Sequence, residues 1–230
     1  MKTIILAGGF GTRLSSVVSD LPKPMAPVDG RPFLEYLILK LKDCGLQEII
    51  LSLGYKAEII QSYFGDGDKF GVKIGYCIES SPLGTAGALK QAAAMFKDEV
   101  FLALNGDSFS ALDFKMLING YIDKKAIATI ALTVVEDGLR YGSVEINDNL
   151  EITKFSEKSS QRKTLINTGT YCLHRRIFDN IASGKVSIEE DVFPGLLGQG
   201  LYGYVFNGFF IDIGIPEDYL YLCQHPDILH

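Results

Sequence analysis

Thr3-Ile4-Ile5-Leu6-Ala7-Gly8-Gly9-Phe10-Gly11-Thr12-Arg13-Leu14, followed by Pro22-Lys23-Pro24-Met25, decides how this chain is read. Residues 3–7 are a short apolar run of the kind that parallel sheets bury. The glycines behind them let the backbone turn through positive φ and gather several N–H donors around one anion, as polyphosphate binding needs. Arg13 ends the loop with a cation, and Lys23 supplies a second between two prolines. Two familiar glycine loops are excluded. A Walker loop needs Gly-Lys-Ser/Thr at its end, and no Lys follows this loop. A dinucleotide fingerprint needs a third glycine where Leu14 stands and an acidic residue near the end of the second strand, where 49–54 offers none. For the glycines alone, an ordinary strand-to-helix turn with an exposed arginine stays open.

Outward from this stretch, apolar strands alternate with helical periods. Strands are expected over 3–7, 48–53, 72–78 and 100–104, with helices over 33–44 (opened by Pro32), 56–64 and about 85–96 between them. That alternation predicts an α/β fold, a largely parallel sheet covered on both faces, with ligands at the carboxyl ends of its strands. The second half is less regular. Strands over 126–135, 143–146, 151–155 and 170–173, with short helices near 176–181, 189–197 and 217–223, suggest antiparallel strands that wall the substrate. No linker or internal repeat divides the 230 residues, so a single domain over 1–230 is expected, about 1–110 forming a nucleotide-binding half and about 111–230 the half that walls the substrate.

Composition narrows the class. Hydrophobic residues make up 47% and charged residues 22%, which reads as globular and not disordered. The opening apolar run is too short for a signal segment or a membrane span, so a cytoplasmic protein with no membrane partner is expected. Cys44, Cys77, Cys172 and Cys223 have no paired spacing and read as reduced thiols; His174, His225 and His230 lack ligand spacing too. A net charge of −6 argues against a nucleic-acid partner but leaves room for a small polyphosphate held where cations converge with a divalent metal.

Asn105-Gly106-Asp107 follows the strand at 100–104, which delivers Asp107 to the sheet's carboxyl edge, where the glycine loop also emerges. Asp212 sits inside the apolar Phe209-Phe210-Ile211-Asp212-Ile213-Gly214, a costly place for a carboxylate unless it is paired or bound to metal. A turn or helix cap remains open for Asp107 taken alone. Two carboxylates at one edge make a site for Mg²⁺, a hard cation that shares oxygen ligands between protein and phosphate.

L-A-G-G-F-G-T-R-L at 6–14, P-K-P-M at 22–25, P-L-G-T-A-G-A-L at 82–89 and N-G-D-S-F at 105–109 come in order, followed by F-S-E-K at 155–158, N-T-G-T-Y at 167–171 and D-I-G-I-P-E-D-Y at 212–219. In order and spacing this series resembles the signature of the sugar-1-phosphate nucleotidylyltransferases over almost the whole chain. The resemblance implies the Rossmann-like nucleotide-diphospho-sugar transferase fold. It implies that Leu6, Ala7, Gly8, Gly9, Gly11 and Thr12 wrap the nucleotide, with Glu79, Asn105 and Gly106 on the same side. Arg13 would hold the leaving phosphates and Lys23 the α-phosphate, as the catalytic pair. Pro82, Leu83, Gly84 and Thr85 would line the base. Gly142, Glu157, Lys158, Asn167 and Thr168 would form the sugar side, and Asp107 and Asp212 would share Mg²⁺. Without their order in the chain, Glu157-Lys158 would read as a solvated pair and residues 82–85 as a turn and helix cap.

The uninterrupted P-L-G-T-A-G-A-L resembles the guanylyltransferases that make GDP-mannose and GDP-heptose more than the thymidylyl- or uridylyltransferases, which implies GTP and a sugar 1-phosphate as substrates. A chain ending soon after D-I-G-x-P-x-D-Y looks most like the heptose 1-phosphate enzymes. Ile215, Ser159 and Phe210 depart from the family pattern, which bears on the shape of the sugar pocket. The implied reaction is in-line attack on the α-phosphorus with loss of pyrophosphate, without a covalent enzyme intermediate. It needs no general base, because a phosphate monoester with a second pKa near 6 is already largely dianionic. A regulatory subunit that senses nucleotide sugar is the alternative of another class, though Arg13, Lys23, Asp107 and Asp212 are all in place. A homo-oligomer is possible.

Overall fold

The computed structural model describes residues 1–9, 14, 18, 20–136, 141–156, 163–179, 181–182 and 184–229. The chain opens with β1 (Thr3–Leu6), the short strands β2 (Pro27–Val28) and β3 (Arg31–Pro32), α1 (Phe33–Asp43), β4 (Glu48–Leu53) and α2 (Ala57–Phe64). It continues through β5 (Lys73–Ile78), α3 (Gly84–Ala93), β6 (Val100–Asn105), β7 (Ser108–Ser110), α4 (Phe114–Lys124) and β8 (Ala128–Val135). It ends with β9 (Ser143–Ile146), β10 (Ile152–Ser156), β11 (Thr164–His174), β12 (Leu201–Val205), β13 (Phe210–Asp212) and α5 (Pro216–Gln224).

One seven-stranded sheet, ordered β12-β8-β11-β6-β1-β4-β5, joins strands from both halves of the chain. β11 pairs antiparallel with both neighbours, and every other pairing in the sheet is parallel. This is the expected mixed, mostly parallel sheet. Ile4 and Ile5 in β1 are fully buried on opposite faces, as the apolar run at 3–7 requires. On one face α1 packs Phe33, Leu34, Leu37, Ile38 and Leu41, at helical spacing, beside Leu117 and Tyr121 of α4. On the other face lie Ala86, Leu89 and Ala92 of α3 with Phe178 and Phe193. At roughly 1.5–3 kcal/mol per fully buried large apolar side chain, these two layers hold the sheet edge rigid beneath the loops. Among the described residues no helix is long and apolar enough to cross a membrane.

Several elements differ from expectation. α4 was not anticipated, although Phe114, Leu117 and Tyr121 carry a helical period and Asp113 caps the helix by accepting from Lys115 N–H. β12 was missed because Gly203 interrupts a short run. The helices expected near 176–181 and 189–197 are instead a 3₁₀ turn at Arg175–Phe178, a single wide turn at Ile188–Val192 and a 3₁₀ turn at Phe193–Leu196, where Pro194 and Gly195 prevent a regular helix. β11 is much longer than 170–173 and changes register between Asn167 and Tyr171.

Candidate active site

The edge where β1, β4, β5 and β6 end carries a cavity of about 540 Å³, within the size range of small-molecule pockets. Of the residues assigned to the nucleotide, Leu6, Gly8, Gly9, Glu79, Pro82, Gly84, Thr85 and Asn105 line it, together with Asp107. Ala7 is buried beneath, its N–H donating to Ser52 O at 2.8 Å, and Gly106 N–H donates to Leu6 O at 2.8 Å. Leu83 N–H donates to Glu79 Oε2 at 3.0 Å, which ties the loop before α3 to the end of β5. Glu79 Oε1 points towards the glycine loop: a methyl on Gly8 would stand 2.9 Å from it. Gly11, Thr12 and Arg13 lie outside the described residues, as do Glu157 and Lys158.

Around Asp107, on the cavity wall, the chain draws together three charges. β7 and β13 form a separate antiparallel ladder that sets Asp212 opposite Ser108, and Ile213 N–H donates to Asp107 O at 2.9 Å. The two aspartates, 105 positions apart in sequence, thus share one ridge. Lys23 reaches in from a 3₁₀ turn at Lys23–Met25, its Nζ 2.8 Å from Asp107 Oδ2. A methyl on Gly214 would stand 2.7 Å from Lys23 Nζ and 2.8 Å from Asp212 Oδ1, so the ammonium and the second carboxylate converge on one point. Gly214 N–H donates to Asp212 Oδ1 at 2.7 Å. The Lys23 side chain is 11% exposed and that of Asp107 31%, a partly desolvated pair in which charge counts for more than at the open surface. Lys40 anchors this ridge from behind, its Nζ donating to Ser110 O and lying 4.7 Å from the centre of the Phe109 ring; burial lowers its pKa.

Among the described residues no group of three or more His, Cys, Asp or Glu side chains could hold a metal alone. The adjacent carboxylates of Asp107 and Asp212, with a cation already drawn to them, nevertheless fit a hard divalent ion that completes its shell with phosphate and water.

The sugar side is placed only in part. Gly142 is exposed just before β9. Asn167 is half-buried, donating through Nδ2 to Tyr171 OH at 3.0 Å. The side chain of Thr168 is turned into the sheet, 1% exposed, with its hydroxyl donating to Ala131 O at 2.9 Å, so it offers a ligand no free donor. Ile215 stands at the N-cap of α5, where it makes no side-chain cap, and Phe210 meets Tyr141 edge-on at 6.0 Å.

Sequence reasoning missed further residues of the cavity wall: Gly54, Tyr55, Ser80, Ser81, Ala88 and Lys185. Gly54 and Tyr55 were within reach, since they follow the carboxyl end of β4, next to β1. Lys185 comes from a loop with no motif around it.

Known proteins resemble this chain over nearly its whole length. The Nucleotidyl transferase family matches residues 2–225. The D-glycero-alpha-D-manno-heptose 1-phosphate guanylyltransferase of Aneurinibacillus thermoaerophilus is 42% identical over 221 residues, covering 95% of both chains. The enzyme of the same name from Campylobacter jejuni is 41% identical over 220 residues, covering 95% of this chain and 97% of its own. The crystal structure of HddC from Yersinia pseudotuberculosis complexed with GMP-PN superimposes with a TM-score of 0.87 at 39% identity, over 97% of this chain and 98% of that one. With the match running from β1 through α5 and the glycine loop, cavity and aspartate ridge all inside it, the chain belongs to the nucleotidyl transferase family.

Proposed function

We propose that this chain transfers a guanylyl group from GTP to a sugar 1-phosphate, D-glycero-α-D-manno-heptose 1-phosphate first among them, and releases pyrophosphate. One observation carries the reading: a single cavity is lined by both the Glu79 carboxylate and Asp107, and Asp107 is paired with the Lys23 ammonium. A carboxylate only accepts hydrogen bonds. Guanine alone among the common bases presents two adjacent donors, N1–H and the N2 amino group, on its Watson–Crick edge. Glu79 therefore suits guanine, with Leu83 N–H holding Oε2 in place. The names of the two curated relatives support the same base and sugar.

At the phosphate end, an oxygen of the sugar phosphate forms the new bond to the α-phosphorus as the bond to the bridging oxygen breaks, and pyrophosphate carries that oxygen away. The entering phosphate is already dianionic, so no side chain need remove a proton. Lys23 brings positive charge to where two anions must meet, and Arg13 is assigned the departing phosphates; both act by positioning and charge. Asp107 and Asp212 would hold Mg²⁺, which when bound supplies charge neutralisation and a template for the phosphates. The glycine loop, including Gly11 and Thr12, is assigned the nucleotide, and Gly142, Glu157, Lys158 and Asn167 the sugar.

The test is pyrophosphate release with Mg²⁺ over GTP, dTTP, UTP, CTP and ATP against heptose, mannose and glucose 1-phosphates. GTP with the heptose phosphate should dominate. A dominant uridine or thymidine signal would overturn the base assignment, and silence throughout would overturn the transferase reading in favour of a nucleotide sensor.

A further inference from the structure

We propose that Glu189 is a positioning residue that couples the two substrate sites, its carboxylate holding the base loop through one oxygen and the sugar strand through the other. The inference rests on the functional reading above and extends it to a residue outside every motif in the sequence.

Glu189 lies in the wide turn at Ile188–Val192. Its Oε2 accepts from Thr85 Oγ1 at 2.7 Å and from Ser187 Oγ at 2.9 Å. Thr85 is the second residue of α3 and lines the cavity, and its Oγ1 also accepts from Ile188 N–H at 2.8 Å. The base loop is laced to the same segment through its backbone: Val186 N–H donates to Leu83 O at 2.8 Å and Ala86 N–H to Val186 O at 3.0 Å.

The other oxygen, Oε1, accepts from Tyr171 OH at 3.1 Å. Tyr171 is wholly buried in β11, and burial, followed by the nearby Glu189 charge, holds its phenol well above the usual range, so it stays a donor. The Tyr171 oxygen in turn accepts from Asn167 Nδ2 at 3.0 Å, and Asn167 Oδ1 accepts from Gly169 N–H at 2.9 Å. Gly169 has φ +71 and is pressed so close to Asn105 that a methyl would collide with its amide. Asn105 lines the cavity, which brings the path back to the nucleotide from the opposite side.

Every donor in this path has one direction, and it converges on an acceptor-only group. An amide at position 189 would keep the shape but offer an N–H to one of its two ends, where a hydroxyl that already accepts from Ile188 N–H or Asn167 Nδ2 would have to turn its own O–H away. A carboxylate thus fixes the base loop and Asn167 relative to each other, so a ligand that orders one orders the other. Linkage then makes the two affinities reciprocal.

The experiment titrates α,β-methylene GTP into the full chain with Mg²⁺, with and without saturating D-glycero-α-D-manno-heptose 1-phosphate. It compares wild type, Glu189→Gln and Tyr171→Phe. In the wild type the sugar phosphate should tighten the analogue by about fivefold or more, and in both variants this ratio should fall to within about twofold of one while the analogue's affinity alone shifts less. A wild-type ratio near one, or a ratio that survives in either folded variant, overturns the proposal, even if melting temperature falls; that pattern marks the network as structural support alone. Should Glu189→Gln not fold, Tyr171→Phe, which removes one hydroxyl, decides the matter. A wild type that binds no GTP analogue overturns the functional reading and this inference with it, a failure distinct from a surviving ratio.

Discussion

Lys23 is the residue to which the proposed reaction assigns the charge beside the phosphates. Its ammonium is 2.8 Å from Asp107 and faces Asp212 across Gly214, so it serves the carboxylates and, in the reaction proposed, the phosphates. Lys23→Ala should cut turnover by more than about tenfold, at least ~1.4 kcal/mol of transition-state stabilisation, while circular dichroism stays native. Unchanged turnover would remove Lys23 from the phosphate end. Asp107→Asn leaves a side chain of the same size with one acceptor and no charge. The Mg²⁺ concentration for half-maximal rate should rise by about tenfold, the worth of one charged ligand contact, and an unaltered metal titration would count against the shared site.

At the scale of elements, the loop before α3 joins the cavity wall to the rest of the fold. Gly84 has φ +71, and a methyl there would overlap the Val186 carbonyl. Gly84→Ala should lower stability by at least ~1–2 kcal/mol from the left-handed strain alone and raise the KM for nucleotide more than it lowers kcat. A variant with native melting temperature and KM would show that the loop tolerates displacement. Much of this framework was legible in the sequence. The strand-loop-helix alternation gave β1, β4, β5 and β6, because continuous apolar runs and capped helical periods are local signals. Asp107 and Asp212 were legible as candidates because each directly follows or sits within an apolar run. Their pairing through the β7–β13 ladder was not, since register between segments 105 positions apart carries no local pattern. Glu189 was illegible for a related reason: its partners Thr85 and Tyr171 become neighbours only once α3 packs against the sheet. Thr168 is assigned by its motif to the sugar, and its hydroxyl donates to Ala131 O within the stretch where β11 changes register, a placement no local pattern announces.

For the whole molecule, the buried acids of the core set an alkaline limit. Burial pushes the Cys172 thiol from its ordinary 9.0 to about 12, and Tyr121 from 10.0 to about 12. Both groups are essentially neutral in folded and unfolded chains below about pH 8, so their contribution is constant there. Above it the unfolded chain releases protons that the folded chain retains, and stability falls by up to about 1.4 kcal/mol per pH unit for each such group. Urea unfolding at pH 7, 9, 10 and 11 should show a plateau and then a decline. Cys172→Ala should flatten the first part of that decline, between pH 9 and 10, and an undiminished slope would assign it elsewhere. The same sheet that buries these groups joins both halves of the chain, with the cavity at its carboxyl edge and Asp107 on the cavity wall.

The central claim is that this cavity reads guanine with Glu79 and conducts transfer at Lys23. Its most direct test is kcat/KM for GTP and for UTP, with the heptose phosphate fixed, in the wild type and in Glu79→Gln. Loss of one hydrogen bond to a charged group is worth ~1.5–3 kcal/mol, so the variant's GTP value should fall by roughly 10- to 150-fold. Its UTP value should hold or rise, because an amide matches the donor and acceptor on uracil. A GTP to UTP ratio that Glu79→Gln leaves unchanged would contradict the account.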